Sequence, residues 1–175
     1  MGTITGSVSL NPTRYSYWIE WSETNINSTN NTSDVTATVY VQKISTYNAE
    51  GSGNTHALTV FGTTNNASPY IDMNPETTPR VVISNTVTVT HDADGTKVGS
   101  IYSGGTLPYG SGYGPQSGSA SGSVTLTTIT RATAVSSTAA SSIGETSATV
   151  GGNVTDAGIP VCSERGIYWG TSSGS

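Results

Sequence analysis

Two histidines, His56 and His91, carry most of the acid–base chemistry near neutral pH that this sequence offers. Their spacing supports no Ser-His-Asp order, and no His-Glu-x-x-His pair occurs, so neither triad nor zinc hydrolysis is signalled and no enzyme is expected. Cys162 is the single cysteine, which rules out an internal disulfide and a zinc site of several thiolates. Beside Val161 in a β-run, it reads as an inert core thiol. The segment "HDADG" at 91–95 puts Asp92 and Asp94 at the first and third places of a calcium loop. The sixth and twelfth places, which need Gly and a bidentate Glu, hold Lys97 and Ser103, so a plain hairpin turn at Asp94-Gly95 is the expectation. "YGSGYG" at 109–114 lacks the preceding strand and following helix of a phosphate cradle. No metal and no cofactor is expected.

A glycan-cleaving enzyme needs two carboxylates facing each other across a groove. Glu20, Asp92 and Asp94 are the candidates, and spacing does not bring them together, so they read as solubilising charges. What remains is aromatic. Trp18, Tyr40, Tyr47, Tyr102, Tyr109 and Tyr113 fall on polar strand faces or in glycine-rich stretches. Such rings stack on the C–H faces of sugars while neighbouring Asn, Asp and Ser bond the hydroxyls, and equally they make subunit contacts. Trp18, Tyr40, Tyr102, Tyr109 and Tyr113 are therefore the candidate contacts to a glycan or a partner.

The elements that carry them are strands. In "YSYWIEW" (15–21), Tyr15, Tyr17, Ile19 and Trp21 share one face, and Ser16, Trp18 and Glu20 the other. In "VTATVYVQ" (35–42), Val35, Ala37, Val39 and Val41 point inward and Tyr40 outward. The Asn/Ser/Thr run between them, 24–34, reads as a loop. Further strands are expected over 55–61, over 80–90 with Val81, Ile83, Val87 and Val89 in one phase, after the Asp94-Gly95 hairpin, and over 124–130. The stretches 62–79 and 103–123 read as turns and a long loop, the latter from its seven glycines and two prolines. About seven strands fit an antiparallel β-sandwich over residues 1–131. From Arg131 the texture shifts to small residues. Residues 132–175 read as a linker and an incomplete module, with strands expected in "TSATVGGNV" and "VCSERGIYWG".

Composition supports an all-β reading. Charged residues are 10% of the 175, the net charge is -5, and about a third of the chain is Ser or Thr. Those residues favour pleated strands and turns over helices. Six basic residues spread over the whole length cannot form a phosphate-binding surface, so nucleic acid is not an expected partner. No stretch approaches the roughly 18 apolar residues of a membrane span, and "MGTITGSVSLNPTR" lacks the pattern of a secretory signal.

Three stretches, "YSYWIEWSETNINSTNNTSDVTATVYVQK" (15–43), "ISNTVTVTHDADGTKVGSIY" (83–102) and "GSVTLTTITRAT" (122–133), resemble the minor structural proteins of long-tailed, siphovirus-like bacteriophages. The most specific element is "THDADGTK". The tail "ETSATVGGNVTDAGIPVCSERGIYWGTSSG" is similar to the opening half of a fibronectin-like or immunoglobulin-like module. The resemblance implies a virion component, such as a head or tail fibre or a baseplate-associated protein. Such a protein is made in the host cytoplasm without a signal peptide, contacts other virion subunits as a homo-oligomer and helps recognise the host surface. The alternative is a carbohydrate-binding module of a bacterial surface or secreted protein.

Overall fold

The computed structural model describes residues 1–9, 14–44, 50–74, 78–108 and 116–170, which contain strands and no helix. In chain order they are β1 (Gly2–Thr5), β2 (Ser7–Val8), β3 (Tyr15–Asn27), β4 (Thr32–Lys43), β5 (Glu50–Gly51), β6 (His56–Val60), β7 (Thr63–Ala67), β8 (Ile71–Asp72), β9 (Arg80–Thr90), β10 (Val98–Leu107), β11 (Gln116–Thr125), β12 (Ala134–Ser141) and β13 (Thr149–Asp156). Two antiparallel sheets form the body, in the orders β1-β3-β4-β9 and β2-β11-β10-β6-β7. The fold is an all-β sandwich.

The strict alternation in β3 and β4 builds its centre. Tyr15, Tyr17 and Ile19 from β3 and Val35, Ala37, Val39 and Val41 from β4 are all buried, with Trp21 packed at the margin. Register pairs Ile19 with Val39 and Trp18 with Tyr40, so inward residues oppose inward residues. Leu58, Val60, Ile101, Ala120 and Val124 face them from the second sheet. The outer face of β4 and β9 is zipped by hydroxyls, with Thr36 to Thr86 at 2.9 Å and Thr38 to Ser84 at 3.0 Å. One side of the sandwich is laced by amides, because Asn65 donates to Ser84 O at 2.9 Å and Asn85 to Thr63 O at 3.0 Å. At the other side the chain passes from β1 to β2 through Gly6, where a Cβ would stand 2.4 Å from Ser119 O.

Several expectations are overturned. The glycine-rich run 103–123 is not one long loop: it holds the end of β10 and nearly all of β11. Its inward positions are small because large rings from elsewhere fill the space. A Cβ on Gly118 would meet Tyr17 Cδ2 at 2.3 Å, and one on Gly105 would meet His56 Nδ1 at 2.1 Å. The turn at Asp94-Gly95 is tight, with Gly95 N–H donating to Asp92 O at 2.8 Å and Gly95 at φ +81°. It does not form a hairpin of two long strands, since β9 and β10 diverge into different sheets. Val81 is 57% exposed because β9 bulges where Val39 pairs with Ile83 and Tyr40 with Val81, which turns Val82 inward. β7 occupies part of the expected turn region, joined to β6 through Phe61 and Gly62, both at positive φ. Strands β3 and β4 also run well into the Asn/Ser/Thr segment, leaving a short turn.

Beyond Thr125 the chain to Thr130 has no strand, although Leu126 and Ile129 are buried. β12 and β13 form a separate two-stranded sheet, so the small-residue run at 134–141 is a strand while 161–170 is not. Cys162, expected as a core thiol, is only half-buried and lies outside any strand. Arg131 ties this pair to the sandwich. Its backbone bridges Ile159, its guanidinium pairs with Asp156 at 3.0 Å, and it donates to Ser28 O and Thr29 O at 2.7 and 3.0 Å.

Candidate functional site

The outward positions of β3 and β4 bring Trp18 and Tyr40 together. They are cross-strand partners, their rings stacked with centroids 5.4 Å apart and planes 13° apart. Trp18 Nε1 donates to Glu20 Oε1 at 3.2 Å. Each ring therefore covers one face of the other, and the indole N–H already has its acceptor. A shallow groove of about 580 Å³ runs beside Trp18, lined by Thr3, Thr5, Ser16 and Gln42 among others.

Tyr102 lies on the opposite outer face. It stands between the buried Ile101 and Ser103 on β10, and is itself 48% exposed. A Cβ on Gly104, the next outward position, would lie 2.6 Å from the Tyr102 hydroxyl and 3.3 Å from Cζ. The ring thus reclines along the strand over a glycine, and no other aromatic ring stacks on it among the described residues. Beside it lies an open groove of about 570 Å³, with Thr55, Asn66, Thr106, Ser117 and Ser119 among its lining residues. A smaller hollow of about 270 Å³ borders Tyr102 on another side, lined by Ser7, Ser119 and Ser121. The aromatic inventory of the sequence pointed to Tyr102 itself. It gave no sign of Gly104 or of the hydroxyl-bearing neighbours, because a Ser/Gly-rich run looks like a loop until its partner strands are known. Tyr47, Tyr109 and Tyr113 lie outside the described residues.

Beneath this sheet, His56 is buried and stacks on Tyr17 with centroids 6.2 Å apart. Neither His56 nitrogen makes a hydrogen bond of good geometry. Burial pushes the imidazole below its ordinary value, with the backbone of Thr106 opposing in part. Tyr17 and Ser103 share a hydrogen bond of 2.8 Å; because Ser103 donates to Ala57 O, Tyr17 is the donor of the pair. Burial raises the Tyr17 phenol, the Ser103 bond opposes this, and Tyr102 adds to it.

His91 closes one end of the sandwich. Its Nδ1 donates to Gly95 O at 3.0 Å, Ser33 Oγ lies 2.9 Å from Nε2, and Glu23 Oε1 lies 3.8 Å from the same nitrogen. A catalytic triad needs hydroxyl and carboxylate on opposite ring nitrogens, whereas here both meet one, and Ser33 is only 1% exposed. The trio joins β3, β4 and the Asp94-Gly95 loop to the segment after β11, where Thr127 N donates to Glu23 Oε2 at 2.8 Å. Burial opposes the Glu23 charge, but the backbone and hydroxyl of Thr127, with Ser33 and His91, outweigh it and hold the carboxyl below its ordinary value.

The carboxylates weighed for sugar cleavage have local partners instead. Glu20 serves Trp18, Asp92 pairs with Lys97 at 2.9 Å, and Asp94 accepts from Thr96. Among the described residues no group of three or more His, Cys, Asp and Glu side chains could hold a metal, and no helix is long and apolar enough to cross a membrane.

Comparison with known proteins adds one decisive observation. Residues 7–155 match the model of a family described as siphovirus protein of unknown function (DUF859). The chain belongs to this family. This siphovirus-family protein is thus a phage-related chain, in agreement with the resemblance carried by "THDADGTK" and its flanking strands. The matched region takes in the sandwich from β2 onward, passes through Arg131 and stops within β13. Neither a curated protein nor a solved structure matches the chain.

Proposed function

We propose that this siphovirus-family chain is a non-enzymatic structural protein of the phage particle. It would serve in a head or tail fibre or near the baseplate, where it contributes to assembly and to attachment at the host surface. The family match over 7–155 carries the reading. Two features of the surface support it. The stacked Trp18 and Tyr40 pair is a rigid, half-buried aromatic plate of the kind enriched at subunit contacts. The exposed Val135, Val150, Tyr168 and Trp169 give the C-terminal region a second apolar surface. The partners are other virion subunits, including further copies of this chain.

The test is to raise an antibody against residues 1–131, label gradient-purified particles and locate the label by electron microscopy, with mass spectrometry of the same particles. Label at one defined place on the particle is expected. Purified particles that lack the chain overturn the proposal. A second reading, a carbohydrate-binding module, is favoured by one observation only: the unpaired Tyr102 ring beside a hydroxyl-lined groove.

A further inference from the structure

We infer that the outer face of the β2-β11-β10-β6-β7 sheet is a binding site for a neutral saccharide chain, with Tyr102 as its stacking platform. The inference rests on the attachment reading only for the source of the sugar, a bacterial surface glycan. The geometry separates Tyr102 from the other aromatic candidates. Trp18 and Tyr40 spend a ring face on each other and the indole N–H on Glu20. Tyr102 instead lies along its own strand over Gly104, which leaves a broad apolar face turned away from the sheet. That posture suits the C–H face of a pyranose.

The surroundings set the ligand class. Among the described residues that line the groove there is no Lys, Arg, Asp or Glu, and the titratable groups are His56 and Tyr102. Burial disfavours the charged form of His56. An anionic chain would find no counter-charge there and a cationic one no carboxylate, whereas hydroxyl and amide groups match the hydroxyls of an uncharged sugar. Elsewhere on the sandwich the hydroxyls bond one another, as Thr36 does with Thr86 and Thr59 with Thr64. In the groove the side chains of Asn66 and Ser119 and the Tyr102 hydroxyl have no such partner among the described residues. The volume of about 570 Å³ falls within the roughly 300–1,000 Å³ typical of small-ligand sites.

The test uses the full chain against immobilised neutral oligosaccharides of glucose, galactose, rhamnose and N-acetylhexosamines, with polyglycerol phosphate as an anionic comparison. Binding to at least one neutral class is expected. Tyr102→Ala should weaken it about tenfold, equivalent to roughly 1.4 kcal/mol, while Tyr102→Phe retains the stacking. Gly104→Ala should weaken it too, because its Cβ displaces the Tyr102 hydroxyl from its resting place. Thr38→Ala, on the other sheet, should bind as the parent does, and thermal unfolding of each variant verifies that it is folded. No binding to any neutral class at millimolar sugar, stronger binding to polyglycerol phosphate, or loss with Trp18→Ala but not with Tyr102→Ala would each overturn the inference. Particle labelling reads the virion proposal separately, so either idea can fail while the other stands.

Discussion

The Tyr17 ring occupies the space in which a side chain at Gly118 would stand, with Cδ2 only 2.3 Å from where a Cβ would be built. Tyr17 is 2% exposed, stacked on His56 and held at its hydroxyl by Ser103, so it cannot swing aside. Gly118→Ala should therefore destabilise the sandwich by about 1–3 kcal/mol, the usual cost of overpacking a filled core. Gly104→Ala meets only the far end of the half-exposed Tyr102 and should change stability by less than about 0.5 kcal/mol. Urea unfolding of both variants measures the contrast, and equal costs would refute the packing argument.

Trp18 and Tyr40 should be energetically coupled. Rings 5.4 Å apart and nearly parallel contribute about 0.5–1.5 kcal/mol beyond the area they bury. A double-mutant cycle with Trp18→Ala and Tyr40→Ala should return a coupling of that size. If the plate is also a subunit contact, each single variant lowers the mass observed by analytical ultracentrifugation at a given concentration.

How far the sequence shows this fold depends on which sheet supplies the bulk. β3 and β4 are plain to read because their inward residues are large and strictly alternate, from Tyr15 to Ile19 and from Val35 to Val41. β10 and β11 are hidden because their inward positions include Ser103, Gly105, Gly118 and Gly122, which receive rings and branched chains from the other strands. Small residues opposite large ones satisfy close packing as well as equal ones do, yet they give no hydrophobic period. The Val81 phase fails at a single bulge, and the Asp94-Gly95 turn is correct locally but links two sheets. Side-chain phase likewise marks Trp18 and Tyr40 as outward-facing. That Trp18 and Tyr40 share one face while Tyr102 takes the other follows from the division into sheets, which no local pattern contains.

Stability should fall on acidification in two stages. His56 has a folded pKa below its ordinary value of 6.5, so below that pH the unfolded chain takes up a proton that the folded chain refuses. The loss begins there and ends once pH has dropped below the folded pKa. Glu23 is also lowered in the folded state, by Thr127, Ser33 and His91 acting against burial, so its contribution is present above its ordinary value of 4.5 and is lost as pH falls through the folded pKa. Melting temperature measured from pH 8 to pH 3 should show both declines. His56→Phe should remove the first, and since neither buried ring nitrogen makes a hydrogen bond of good geometry, it should cost little at pH 7. Glu23→Gln should reduce the second, and a pH profile unchanged by both substitutions would show that these groups are not the source.

Arg131 should control the attachment of the C-terminal strand pair more than the stability of the sandwich. Its guanidinium reaches in two directions, to Asp156 within the C-terminal region and to the Ser28 and Thr29 carbonyls in the β3–β4 turn. Asp156 is itself held below its ordinary pKa, first by the Gly158 N–H and then, against burial, by Arg131. The sandwich core is composed of residues from Val8 to Leu126 and does not depend on these contacts. Arg131→Ala should leave the main unfolding transition close to that of the parent while raising amide hydrogen exchange across 134–160, with the largest increase in β13. Arg131→Lys should restore the charge opposite Asp156 but not the fork that reaches both carbonyls and the carboxylate, and so should give intermediate protection. Exchange rates in β12 and β13 that match the parent in both variants would place the anchor in the Arg131–Ile159 backbone bridge instead.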